Sequence, residues 1–151
     1  MTEDKRPMVS IITKAYNVDC YIKECAESVL NQSFGDFEWI LLENGSTDRT
    51  KEILEEYAAQ DSRIKLFLNK ENYIKLEPSK EGYYSYFDLL DEVRGKYITE
   101  LDSDDYWDVD YLKTLCAVAE EKKADIVAAG SYYVMDDGVS KELKKGAIPK
   151  A

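Results

Sequence analysis

Asp102-Ser103-Asp104-Asp105 sets three carboxylates within four residues, with no basic residue inside the run. Like charges so close repel, and such a cluster persists in a solvated loop or where a cation offsets the repulsion. The run follows an apolar stretch, residues 97–101 (YITEL), and precedes Tyr106-Trp107. Carboxylate oxygens without histidine or cysteine suit Mg2+ or Mn2+. An EF-hand does not fit, because Trp107 stands where its glycine belongs and Lys113 where its terminal glutamate belongs. A solvated acidic loop with no metal stays open as the bland alternative.

Two other segments carry chemistry-bearing residues after an apolar run. Thr13-Lys14-Ala15-Tyr16-Asn17 closes the first. Tyr16 can stack on a base or sugar there, or serve as a packing residue at the rim of a sheet. Glu43-Asn44-Gly45-Ser46-Thr47-Asp48 closes the second. Gly45 permits a tight turn, and Asn44 offers a ligand both a donor and an acceptor. By itself this is an ordinary strand–turn–helix signal.

Composition narrows the chemistry. The chain has 151 residues, 44% of them hydrophobic, which is enough for one domain with a core. It has no histidine, so mechanisms that need an imidazole are excluded, as is histidine-ligated zinc. Three cysteines without a CxxC indicate neither a disulfide framework nor a zinc ribbon, and suit a reducing cytoplasm. A net charge of −11 argues against non-specific nucleic-acid binding, which rests on cationic neutralisation of phosphates. An anionic ligand would need a divalent cation as mediator. No apolar run is long enough to span a bilayer, and no secretory leader is expected at residues 1–10. There is no GxGxxG and no P-loop.

The elements that must position these residues follow from periodicity. Strands are predicted at residues 8–13, 37–42, 64–68 and 97–101, with a fifth candidate at 125–134. Helices are predicted at 19–32 with Asp19 as N-cap, after Ser46 or Thr47, at 82–93, and at 110–122 with Leu112, Leu115, Val118 and Ala119 inward. Residues 69–80 read as a polar loop. Alternating strands and helices predict an α/β fold, an open and mostly parallel sheet with helices on both faces. Such a sheet binds ligands at the carboxyl ends of its strands, near a switch in strand order.

The motifs in register resemble the family 2 glycosyltransferases of the GT-A fold. The matching residues are Val9-Ser10-Ile11-Ile12 with Tyr16-Asn17, then Ser28-Val29-Leu30-Asn31-Gln32-Ser33-Phe34, Asp36-Phe37-Glu38 and Gly45-Ser46-Thr47-Asp48. Gly95-Lys96-Tyr97-Ile98 and Leu101-Asp102-Ser103-Asp104-Asp105-Tyr106-Trp107 continue the match. The resemblance implies a transferase that takes a nucleotide-activated sugar, a UDP-sugar, and passes the sugar with inversion to an acceptor hydroxyl. Asp102-Ser103-Asp104 matches the DxD element. By that match Asp104 ligates Mn2+ or Mg2+, and Asp102 contacts the ribose or the metal. Thr13, Lys14, Ala15 and Tyr16 hold the nucleoside, Asn44 faces the base, and Ser103 adjoins the nucleotide.

This chain also departs from that pattern. Lys14 stands in place of the usual proline, and Glu43-Asn44 in place of two aspartates. Tyr83-Tyr84-Ser85-Tyr86-Phe87 occupies the region of the family's arginine–asparagine element. The catalytic base is unassigned. Asp136 and Asp137 are carboxylates near the right point, but nothing around them matches the base motif. The expected organisation is a donor-binding domain at 1–135, then a polar tail or the start of an acceptor half at 136–151. On this expectation turnover needs sequence past residue 151, and the acceptor is an unidentified saccharide or lipid-linked group. The domain is expected in the cytoplasm, or peripheral at the inner face of a membrane in a longer protein. A sheet cut at this point would expose apolar surface and favour self-association. The competing readings are a non-catalytic nucleotide-sugar-binding module and, more remotely, a nucleotidyltransferase, for which the loop after the first strand lacks the needed glycines.

Overall fold

The computed structural model describes residues 6–74, 82–134 and 141–144. The chain divides into two compact units, Met1–Tyr111 and Leu112–Ala151.

The first unit is built on four strands: β1 (Val9–Ala15), β2 (Phe37–Asn44), β3 (Ile64–Asn69) and β4 (Tyr97–Glu100). All four are parallel, in the order β3-β2-β1-β4. Every residue of β2 is buried, as expected of a strand covered on both faces. Helices α1 (Ile22–Leu30), α2 (Thr50–Gln60) and α3 (Tyr86–Asp91) make the crossovers. Strand order runs outward from β1 to β3, then returns to place β4 on the other side of β1. Right-handed crossovers therefore put α1 and α2 on one face and α3 on the other.

The face under α3 is graded along the strands. Ile12, Ile40 and Leu42 pack with Leu89 of α3, ringed by Phe67, Tyr86, Leu90 and Val93. Burying a side chain the size of Leu89 contributes about 2 kcal/mol. At the amino end of the same face lies Glu38, a buried carboxylate. It accepts bonds from Ser10 Oγ (2.5 Å), the Arg94 N–H (2.8 Å) and Arg94 Nε (3.3 Å), and Lys65 Nζ stands 3.1 Å away. Burial pushes the Glu38 carboxyl upward, but these donors outweigh it and hold the group below its ordinary value. Gly95 is required beside it, since a Cβ there would collide with the Ser10 backbone.

Several element boundaries differ from expectation. α1 starts at Ile22 with no side-chain cap, because Asp19 lies outside the helix and its N–H is bonded to Asp48 Oδ2 (3.1 Å). α2 starts at Thr50 instead of directly after Ser46 or Thr47, whose hydroxyls bond Asn17 in the loop after β1. α3 is shorter than predicted, because Ser85 and Asp88 form a capping box that fixes its start.

In the second unit, α4 (Tyr111–Lys122) buries Leu112, Cys116 and Ala119, a stripe at helical spacing. Val118, predicted inward, is 38% exposed. The predicted fifth strand is reduced to β5 (Ser131–Val134), which pairs antiparallel with β6 (Lys141–Lys144) in a separate two-stranded sheet. The preceding Ala128-Ala129-Gly130 has little side chain to pack in a strand, and Ile126 is 87% exposed. Asp136 and Asp137 lie outside the described residues. Among the described residues no helix is long and apolar enough to cross a membrane.

Candidate functional site

The reversal of strand order lies between β1 and β4, so the loops after these two strands open onto one crevice. The loop after β2 adjoins it, because Ala15 and Glu43 are register partners.

At the end of β1, Thr13 is buried and its hydroxyl accepts from Trp39 Nε1 (3.0 Å). Its side chain is thus committed to the core, which leaves its backbone at the strand end. Ala15 is buried as well. Lys14 and Tyr16 are exposed, and the Lys14 ammonium lies 5.2 Å from the centre of the Tyr86 ring. Asn17 takes a left-handed conformation (φ 51°). Its N–H donates to Ser46 Oγ (3.0 Å), and its Oδ1 accepts from the Thr47 N–H (2.8 Å). Thr50 Oγ1 accepts from the Val18 N–H (2.9 Å). Asp48 accepts from the N–H groups of Asp19 and Thr50. Its slight burial pushes the carboxyl upward, and these bonds more than offset that, leaving it below its ordinary value. The first two loops are therefore zipped together.

At the end of β2, the Glu43 side chain is fully buried and accepts from the N–H groups of Gly45 (3.2 Å) and Ser46 (2.7 Å). Gly45 is left-handed (φ 74°), and a Cβ on it would collide with the Glu71 backbone. The chain leaving β3 thus crosses directly over this turn. Asn44 does sit at the strand end, but its amide is fully engaged within the protein. Oδ1 accepts from Asn69 Nδ2 (2.8 Å) and the Tyr73 N–H (3.1 Å), and Nδ2 donates to Asn72 Oδ1 (2.8 Å) and the Tyr73 carbonyl (3.1 Å).

After β4, Ser103 is buried while Asp102, Asp104 and Asp105 are exposed. The Asp102 carbonyl accepts from the Asp105 N–H (3.0 Å) and the Cys25 thiol (3.8 Å), so the loop turns back and rests on α1. Burial, with the Asp105, Asp104 and Asp102 charges adding to it, pushes the Cys25 thiol up to about 12. Gln32 Nε2 donates to the Asp108 carbonyl (2.6 Å), and the Ser33 N–H donates to the Val109 carbonyl (2.9 Å), which ties the following segment to the end of α1. Trp107 stacks on Tyr111 with ring centres 4.5 Å apart.

The donor set suits a hard divalent cation. The Asp102 and Asp104 carboxylates are exposed and have no hydrogen-bond or salt-bridge partner among the described residues. Among those residues no three metal-ligating side chains converge on one point. A cation here would therefore take the rest of its ligands from water and a bound anion, the usual manner of Mg2+.

The strand order and register thus bring Thr13, Lys14, Ala15, Tyr16, Asp102, Ser103 and Asp104 to the carboxyl ends of two neighbouring strands, with Asn44 at the end of the next strand. Sequence reasoning missed Asn17 and Asn69. Asn17, beside a strand end and tolerant of left-handed backbone, carried a readable signal; Asn69 read only as the first residue of a polar loop.

Comparison with known proteins adds the following. The family model described as Glycosyl transferase family 2 matches residues 10–150. Glycosyltransferase GlyA of Streptococcus pneumoniae is 33% identical over 137 residues, covering 91% of this chain and 18% of its own length. The uncharacterized glycosyltransferase EpsJ of Bacillus subtilis is 37% identical over 131 residues, covering 87% of this chain and 36% of its own length. The chain therefore spans well under half of either relative. Among solved structures, S. aureus TarS 1–349 in complex with UDP-GlcNAc superposes with a TM-score of 0.66 at 28% identity, covering 78% of this chain and 32% of that one.

Proposed function

The chain belongs to glycosyl transferase family 2, and from that premise we propose that it binds a UDP-sugar with a divalent cation, Mn2+ or Mg2+, for inverting transfer to an acceptor hydroxyl. The observation that carries this reading is the pair of exposed carboxylates, Asp102 and Asp104, without a hydrogen-bond or salt-bridge partner among the described residues, on a loop at the switch in strand order. UDP-GlcNAc in the TarS complex supports the choice of donor class.

Asp104 would hold the cation, with Asp102 beside it on the metal or the ribose. The bound cation supplies charge neutralisation for the departing diphosphate. The backbone of Thr13 and Ala15 and the side chains of Lys14 and Tyr16 would line the nucleoside, with the exposed Tyr16 ring as an apolar wall. Ser103, buried between the aspartates, would adjoin the nucleotide. Asn44 borders the base end, and its bonds to Asn69, Asn72 and Tyr73 make it a shaping residue there. Residues 1–135 would form the donor-binding part and 136–151 lead toward the acceptor half. No catalytic base is assigned within this chain, and both relatives extend far beyond the matched segment. The acceptor is a saccharide or lipid-linked hydroxyl. The location is the cytoplasm, which the three free cysteines suit, or the inner face of a membrane where the acceptor is lipid-linked.

Calorimetric titration of UDP with and without Mn2+ tests the reading. Binding should require the metal, and Asp104→Asn should abolish most of that dependence while leaving the melting temperature unchanged. Metal-independent binding, or an unaltered Asp104→Asn, would refute the assignment.

A further inference from the structure

Asn44 and Asn69 are register partners at the carboxyl ends of β2 and β3, 9% and 5% exposed. Each uses its side-chain amide as one rung of a β-ladder. Asn44 accepts from the Tyr73 N–H and donates to the Tyr73 carbonyl, both at 3.1 Å. Asn69 accepts from the Tyr84 N–H (2.7 Å) and donates to the Tyr84 carbonyl (2.9 Å). A further bond, Asn69 Nδ2 to Asn44 Oδ1 (2.8 Å), links the two rungs. Only an amide can fill both roles, because a carboxylate has no N–H to give.

The rungs fix the rings beside them. Tyr73 stacks on Tyr83 with centres 5.4 Å apart and planes 26° from parallel, and the Tyr83 hydroxyl donates to Glu71 (2.8 Å). Tyr84 meets Phe67 edge-on at 4.9 Å. Tyr73 and Tyr83 remain half-exposed. From β4 to β2 and β3 is two to three strand spacings, roughly 10–14 Å, comparable to an extended nucleoside diphosphate.

We propose that Asn44 and Asn69 are positioning residues for the donor: they clamp the two arms that flank the segment after β3, so that the Tyr73–Tyr83 ring pair walls the base end of the nucleotide site. This rests on the donor reading above. It gives the amides a role in base affinity without direct contact with the base.

The test measures Mn2+-dependent binding of two probes, UDP and inorganic pyrophosphate, to the full chain. Pyrophosphate has no base and reports the β4 end alone. Asn69→Asp and Asn44→Asp keep the shape but set an oxygen against the Tyr84 or Tyr73 carbonyl. Tyr73→Leu keeps both backbone rungs and removes one ring, so the proposal stays testable should a clamp variant fail to fold. Each variant should weaken UDP at least about fivefold, the low end for loss of one base–aromatic stack, with pyrophosphate affinity unchanged. Equal weakening of both probes, or wild-type UDP affinity in Tyr73→Leu, would overturn the proposal. A wild-type chain that binds neither probe would instead overturn the donor reading on which it rests.

Discussion

Glu38→Gln is expected to cost about 2 kcal/mol of folding stability at neutral pH. The Glu38 side chain is 5% exposed and gathers Ser10, Arg94 and Lys65 at the amino end of the sheet. Glutamine preserves the shape and one acceptor but turns the other oxygen into a donor that faces donors. Loss of one hydrogen bond to a charged group costs about 1.5–3 kcal/mol. The lower half of that range applies, because the Lys65 and Arg94 side chains are 28% and 49% exposed and can turn to water. The pH dependence has a definite sign. The folded carboxyl lies below its ordinary value, so its contribution is present above the unfolded value of about 4.3 and fades as pH falls through the folded one. Urea denaturation followed by fluorescence of the buried Trp39 measures both quantities. A variant within about 0.5 kcal/mol of the parent at neutral pH, the scatter typical of surface changes, would refute the argument. So would a difference that persists undiminished in acid.

Gly45→Ala should destabilise the chain by at least about 1–2 kcal/mol from the left-handed backbone alone, with the collision against Glu71 added; thermal melting checks this, and a neutral result would mean that the crossing over Gly45 is wrong. Thiol labelling should begin at Cys20, the one exposed cysteine. The Cys20 thiol is itself raised by its bond to Asp19 and by that carboxylate's charge, so labelling should quicken only in alkaline buffer. Cys25, pushed up to about 12, should react only on unfolding, and mass spectrometry of alkylated peptides would show any early reaction.

Much of the fold was legible because its strands are short apolar runs. Residues 37–42 read as a covered strand, and β2 is buried throughout. The acidic run was legible because three adjacent carboxylates need an explanation wherever they fall. Other features depend on partners far away in sequence. Ser46 and Thr47 read as helix caps, but their hydroxyls bond Asn17, about thirty residues earlier. Asn44 read as a free edge for a ligand, yet its amide is claimed by Asn69 at the end of β3 and by Asn72 and Tyr73 just past it. The fifth strand was a candidate over residues 125–134, whereas its pairing with β6 depends on residues outside that window.

The central claim is that the acidic loop after β4 seats a cation only in company with a bound diphosphate, which in a nucleoside diphosphate is held there from the end of β1. Paramagnetic line broadening of backbone amides by substoichiometric Mn2+, with and without UDP, tests it most directly. With UDP, broadening should centre on Asp102, Ser103, Asp104 and Asp105 and extend to Ala15 and Tyr16; with Mn2+ alone it should be weak and spread over the acidic surface. Broadening centred on another part of the chain, or a pattern indifferent to UDP, would contradict the account.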